Sequence, residues 1–148
     1  MVEARCVPVE AWHVEHIIAH MRNADCAEVR ALGGLTPRQA LEQSLEARGS
    51  CWTGLLDGEP AAIFGVCPLT VTGGMGVAWL LGTPLLERHW RTFARYSSAR
   101  VAELLDHYDV LVNIVHADNR VALRWLAWLG ATFTPNGDKV YFELRGQS

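Results

Sequence analysis

Three groups of side chains have types and spacings that could support chemistry. Arg88, Arg91 and Arg95 fall at 0, +3 and +7, on one face of a helix, where two or three guanidiniums can converge on an anion. A solvated helix face carries the same pattern. His13, His16 and His20 repeat that spacing, and three imidazoles with an open fourth position resemble a zinc site. Trp12, Ile17 and Ile18 surround them, however, and no Cys or Asp stands at ligand spacing. An amphipathic helix with partly exposed histidines accounts for the run, so no metal is expected. Four scattered cysteines (Cys6, Cys26, Cys51, Cys67) form no C-x-x-C pair, and Cys51 has no His or Asn near it in sequence to activate it. Reduced thiols in a cytoplasmic protein are the expectation.

The 148 residues are half hydrophobic and one-fifth charged, with a formal net charge of −3. That length predicts one domain over 1–148, burying about 70% of the unfolded surface. The charge argues against nucleic acid as a partner, since phosphate-backbone binding needs a strongly basic surface. "MVEARCVPVEAW" has no long apolar core, and the longest apolar stretch, "VAWLL" at 77–81, is far below the ~20 residues of a membrane span. No secretory signal and no membrane partner are expected.

These side chains need elements to position them. Residues 4–9 read as a short strand. "EAWHVEHIIAHMR" reads as a helix with Trp12, His16, Ile17 and His20 on one face, and "ADCAEVRAL" as a second, stopped at Gly33-Gly34. In "LTPRQALEQSLEARG", Thr36, Pro37 and Gln39 form a capping box, and Gly49 closes the helix. "CWTGLL" and "PAAIFGV" flank Asp57-Gly58, a hairpin signal. "TVTGGMG" is a loop and "VAWLLGT" a buried strand. One long helix is predicted over 85–108, with apolar positions 86, 90, 93, 97 (a Ser), 101, 104 and 108. "DVLVNIVH" lacks a clean polar face, as a strand buried on both sides does. "NRVALRWLAWLGATF" then gives a helix with Val121, Trp125, Trp128 and Leu129 inward, and "ATFT" and "KVYFEL" are strands joined across Pro135-Asn136-Gly137-Asp138. A helix between "VAWLLGT" and "VLVNIVH" makes those strands a parallel βαβ crossover. The fold class is thus α/β: one domain with a mixed, mostly antiparallel sheet, one parallel crossover and flanking helices.

This order resembles the GNAT (acyl-CoA N-acyltransferase) fold over nearly the whole chain. Many members carry an Asn, an Ala three residues on, a Tyr seven on and a Gly eleven on, followed by an aromatic. Here Asn119, Ala122 and Gly130 keep that spacing, while Leu126 takes the place of the tyrosine and Ala131 that of the aromatic. The Asn suits a helix cap, the Ala close packing and the Gly a left-handed stop. The family's glycine-rich turn, whose N–H groups hold the coenzyme A pyrophosphate, corresponds to "GTPLLERHWRTFAR". Arg88 stands about where the family's first arginine would, with His89, Arg91 and Phe93 or their neighbours in place of glycines. The helix there can instead start at Pro84 with Thr83 as cap.

With the N-terminal half included, the chain is similar to a narrower group, the GNAT-like internal (core) virion proteins of short-tailed phages and prophages. "ADCAEVRALGGLTPRQAL", "WTGLLDGEPAAIFGV", "AWLLGT" and "LVNIVHADNRVALRWLAWLGATF" carry that similarity, over about residues 20–133. It implies a GNAT-type fold that either transfers an acyl group or has lost that activity, and in phages a place inside the head among other virion proteins.

The GNAT resemblance implies a site. Acetyl-CoA or another acyl-CoA would lie where "VAWLLGT" and "VLVNIVH" diverge. Leu80, Leu81 and Gly82 would offer main-chain groups to the pantetheine; Thr83, Arg88 and Arg91 would meet the phosphates; Asn119 would border the cofactor or act only as a cap. An amine acceptor needs a base, and Glu28 and His116 are the leading candidates, with Asp25 a third. Tyr96 and Tyr141 are the phenols that could replace the missing acid.

Overall fold

The computed structural model describes residues 2–46, 49–70 and 74–146, with 31–33 as backbone only. Its elements run β1 (Ala4–Val7), α1 (Ala11–His20), α2 (Asn23–Gly33), α3 (Pro37–Glu46), β2 (Cys51–Leu56), β3 (Glu59–Pro68), β4 (Met75–Gly82), α4 (Pro84–Arg88), α5 (Trp90–Leu105), β5 (Val110–His116), α6 (Arg120–Leu129), β6 (Thr132–Asn136) and β7 (Lys139–Arg145). Among the described residues the strands form one seven-stranded sheet in the order β1-β2-β3-β4-β5-β7-β6. Every pairing is antiparallel except β4 with β5. The expected fold class is therefore the observed one.

Local chemistry sets the turns and caps. The Thr36 N–H donates to Gln39 Oε1 at 3.0 Å, and the Gln39 N–H donates back to Thr36 Oγ1 at 3.2 Å. The β2–β3 turn holds Asp57 at φ 51° and Gly58 at φ 79°, the paired positive angles of a two-residue hairpin. The last hairpin turns on Gly137 and Asp138, one residue later than Asn-Gly would place it, because Asn136 still pairs with Lys139. The loop expected over 70–76 and the end of α3 before Gly49 lie partly outside the described residues.

Two sequence expectations need correction. The long helix is two: α4 ends at His89, whose φ of −125° and ψ of 32° leave the helical region, and α5 begins at Trp90. No Pro or Gly marks that break. It falls where the chain passes from packing Leu86 over Gly82 to packing Phe93 edge-on against Phe64, at 5.4 Å between ring centres. In α6, Trp125 is buried, but Trp128 is 54% exposed and Leu126 takes the inward place instead.

Helices cover both faces of the sheet. On one, Phe64, Val66, Leu111 and Phe142 pack with α5 and α6 through Phe93, Val101, Leu104, Trp125 and Leu126. On the other, Ile63, Leu81 and Trp79 pack with α1, α2 and α3 through Ile17, Val29 and Leu41. Successive residues of β4 therefore alternate between two cores, as the two-residue period of a strand requires.

Candidate functional site

The parallel ladder between β4 and β5 is short. Met75, Gly76 and Val77 pair with Val110, Leu111 and Val112, and there the register ends. Beyond it the Asn113 side chain takes over: its Nδ2 donates to the Ala78 carbonyl at 2.7 Å. The strands then part. Gly82 turns both its N–H and its carbonyl away from β3, so by alternation Leu80 and Ala78 face the same way. The N–H and carbonyl of Leu80 thus look into the gap, whereas Trp79 and Leu81 turn theirs to β3.

A cavity of about 370 Å³ fills the gap. It passes through the sheet. Ala78, Leu80, Ala122, Trp125, Leu126 and Phe142 line it on the α5–α6 side; Val29, Leu35, Ala40, Ser44, Cys67, Trp79, Leu81 and Ile114 line it on the α1–α3 side. Glu28, Gln43, Asn113, Val115 and Asn119 complete the wall. Leu126, at the place where the GNAT pattern has tyrosine, faces this space.

A buried polar knot holds the far end of the gap. Arg22, 2% exposed, gives two parallel bonds to Asp25, from Nε to Oδ2 and from Nη2 to Oδ1, each 2.8 Å. Its Nη2 also donates to Asn119 Oδ1 at 3.1 Å, and its Nη1 lies 3.7 Å from Glu87 Oε1. Burial opposes the Arg22 charge, but Asp25, with Glu87 and Glu28, more than restores it, so the guanidinium holds its proton more firmly than usual. Asp25 Oδ2 accepts the Gly82 N–H at 2.8 Å, and the Gly82 carbonyl accepts the Arg22 N–H at 2.8 Å. Asn119 is the cap expected: its Oδ1 accepts the Ala122 N–H at 3.4 Å. Its Nδ2 donates to Glu28 Oε1 at 3.1 Å, and the His116 N–H donates to the same oxygen at 2.8 Å. Burial pushes the Glu28 carboxyl above its usual range; the two hydrogen bonds and Arg22 pull it back only in part.

The named site residues therefore divide. Glu28, Leu80, Leu81 and Asn119 come together on the cavity wall. Gly82 and Thr83 stand at the end of β4, but their N–H groups are taken, Gly82 by Asp25 and Thr83 by the Ala61 carbonyl at 2.9 Å. Pro84 follows and has none. Arg88, Arg91 and Arg95 are exposed and make no ion pair among the described residues, and the break at His89 divides Arg88 from the other two. His116 lends the site only its main chain: its ring lies outside the cavity, with Nδ1 accepting the Asp118 N–H at 3.2 Å and Nε2 3.5 Å from Asp138. Asp25 is locked in its ion pair. Tyr96 is half exposed on α5, and the Tyr141 hydroxyl donates to Glu143 Oε2 at 3.1 Å; neither lines the cavity. His13, expected to be partly exposed, is fully buried. Among the described residues no group of His, Cys, Asp and Glu is arranged to hold a metal, and no helix is long and apolar enough to cross a membrane.

Sequence reasoning missed Arg22, Asn113 and Trp79. Asn113 carried a signal, as the one polar residue inside the apolar run of "VLVNIV". Arg22, Asp25 and Glu28 stand three apart, a ridge along one helix side that points to a shared partner.

No family model matches the chain, and no curated protein matches it in sequence. Solved structures match it closely in shape. The ribosomal-protein-S18-alanine N-acetyltransferase from Escherichia coli superposes with a TM-score of 0.68 at 13% identity, over 99% of this chain and 96% of that one. The GNAT domain of S. lividans PAT gives 0.68 at 12% identity, over 96% and 90%. The structure of yncA from Salmonella typhimurium with its cofactor acetyl-CoA gives 0.61 at 11% identity, over 98% and 95%. The fold is the GNAT fold. Within it, β4 and β5 part beyond Val77 and Val112, Asn119 caps α6, the end of β4 is closed by Asp25, and the α6 position facing the cavity is Leu126.

Proposed function

We propose that the protein is a GNAT-type N-acyltransferase that moves an acyl group from acetyl-CoA, or another acyl-CoA, to an amine. The cavity through the β4–β5 gap carries this reading: a largely apolar passage bordered by the main-chain groups of Leu80 and by one half-buried carboxyl, Glu28. The thioester arm would lie along β4, paired with Leu80. Arg88 and Arg91, exposed beyond the end of β4, are the cations left to meet the phosphates. Glu28 takes a proton from the incoming ammonium, and the free amine attacks the thioester carbon in a ternary complex. The C–N bond forms, the nitrogen gives up its second proton to water, the C–S bond breaks, and coenzyme A leaves as a thiolate that takes its proton from water, since Leu126 has none to give.

Titration calorimetry with acetyl-CoA and with CoA tests binding, which the pair Arg88→Ala and Arg91→Ala should abolish. Glu28→Gln keeps an oxygen for the His116 and Asn119 donors but cannot act as a base. It should lower kcat about 10²–10⁴-fold, the usual range for a general base, with donor affinity unchanged.

One observation favours a second, non-catalytic reading. Asp25 fills the N–H at the end of β4 and Leu126 replaces the acid, which suits a structural protein such as the internal virion proteins it resembles, held by other virion components. No heat and no thermal shift with millimolar acetyl-CoA or CoA decides for that reading.

A further inference from the structure

We infer that the α1–α3 side of the cavity is built for a small hydrophobic primary monoamine that carries a neutral oxygen at its far end. This rests on the acyl-transfer reading for its role as acceptor, and on the cavity alone for its chemistry. Glu28 is the one carboxyl on the cavity wall, and no Lys, Arg or His lines it among the described residues. One carboxyl matches one ammonium. A diamine would leave its second charge in an apolar space, which is costly without a partner. An amino acid or a phosphorylated amine would bring an anion with no cation to meet it. The walls are aliphatic at Val29, Leu35, Ala40, Leu81 and Ile114, and their polar groups besides Glu28, among them Gln43 and Ser44, are neutral.

The far end has its own mark. Trp79 lines this side, and its buried Nε1–H has no oxygen or nitrogen acceptor. It faces the Cys67 thiol, a weak sulfur acceptor whose proton affinity burial raises and the indole only partly offsets. A buried indole N–H normally finds an acceptor. The neighbouring Ser44 hydroxyl cannot be it, because that group donates to the Ala40 carbonyl at 2.9 Å within α3. An oxygen on the ligand would satisfy the indole. Size sets the last limit: about 370 Å³, near the lower end of the ~300–1,000 Å³ typical of ligand cavities, must hold the thioester as well as the acceptor.

The probes are tyramine, phenethylamine, putrescine and glycine, each titrated calorimetrically into the full chain with and without CoA. Tyramine should bind, phenethylamine about three- to tenfold more weakly for want of the oxygen, and putrescine and glycine at least tenfold more weakly again. Trp79→Phe, with its fold checked by circular dichroism, should bring the tyramine-to-phenethylamine ratio to about one. Equal or tighter binding of putrescine or glycine, an unchanged ratio in Trp79→Phe, or no heat from tyramine overturns the inference. A separate acetyl-CoA titration keeps the two ideas apart. Donor binding without tyramine binding leaves acyl transfer standing and removes this acceptor; tyramine binding without donor binding does the reverse.

Discussion

Removing one carboxylate should cost this protein a large part of its stability. In Asp25→Ala the Arg22 guanidinium, 2% exposed, loses both 2.8 Å bonds and keeps Asn119 at 3.1 Å and a half-exposed Glu87 at 3.7 Å. Breaking one side of a buried ion pair typically costs about 3–5 kcal/mol, because the remaining charge is stranded. The Gly82 N–H is orphaned as well, which adds about 1–3 kcal/mol if no water replaces the carboxylate. Taking about 4 kcal/mol as the net, against ~5–15 kcal/mol for a whole domain, the variant stands near the edge of folding. Its Tm should fall by roughly 8–16 °C at about 2–4 °C per kcal/mol for a chain of this size. Urea unfolding followed by far-ultraviolet circular dichroism gives the free energy, and a thermal scan gives the Tm. The double variant Arg22→Met, Asp25→Leu removes both charges and should recover most of the loss, since an apolar pair of similar volume replaces a buried ion pair at little cost. A loss under about 1 kcal/mol for Asp25→Ala, or a double variant no more stable than the single, would refute the reasoning.

Three other outcomes follow from particular side chains. Leu126→Tyr returns a phenol to the α5–α6 side of the cavity; if acyl transfer is the function, thiol-release kinetics should show kcat rising at least about tenfold, and an unchanged kcat in a folded variant counts against the proton-from-water step. Burial lowers the proton affinity of His13 against a smaller opposing pull from Glu10, and its Nδ1 accepts the Glu10 N–H at 3.0 Å, so the native state holds it neutral. The unfolded chain binds that proton from near pH 6.5 downward, so stability is full above that pH and falls below it. Urea midpoints at pH 7.5 and 5 should differ less in His13→Leu than in the parent. Gly54→Ala sets a methyl group 2.6 Å from Phe93 Cε1, inside a ring cluster that cannot easily give way, and should destabilise by about 1–3 kcal/mol in the same urea assay.

What the sequence disclosed was mostly local. The Thr36–Gln39 box, the Asp57-Gly58 turn, the Asn119 cap and the Gly130 stop at φ 96° each depend on residues within a few positions of one another. The parallel pairing of β4 with β5 was legible because a helix between two strands leaves little choice. Distance defeated the rest. Arg22 meets Asn119 across 97 positions, and nothing in "MRNADC" says that its guanidinium will be buried. The break at His89 has no breaker residue, and Trp128 faces out because the helix rotates to seat Trp125 and Leu126 together. Glu28 and His116, each named as a candidate base, do meet, but His116 takes part through its main chain, which residue type cannot foretell.

The passage between β4 and β5 has a kinetic consequence. A sheet with a window divides the space around the reacting atoms into two approaches, one under α5 and α6 and one under α1 to α3. If the donor's sulfur lies beside Leu126 and the acceptor on the α1–α3 side, its nitrogen at Glu28, neither ligand stands in the other's way, on arrival or on departure. The geometry then imposes no obligatory order of addition, and each product can leave by the side on which its precursor came.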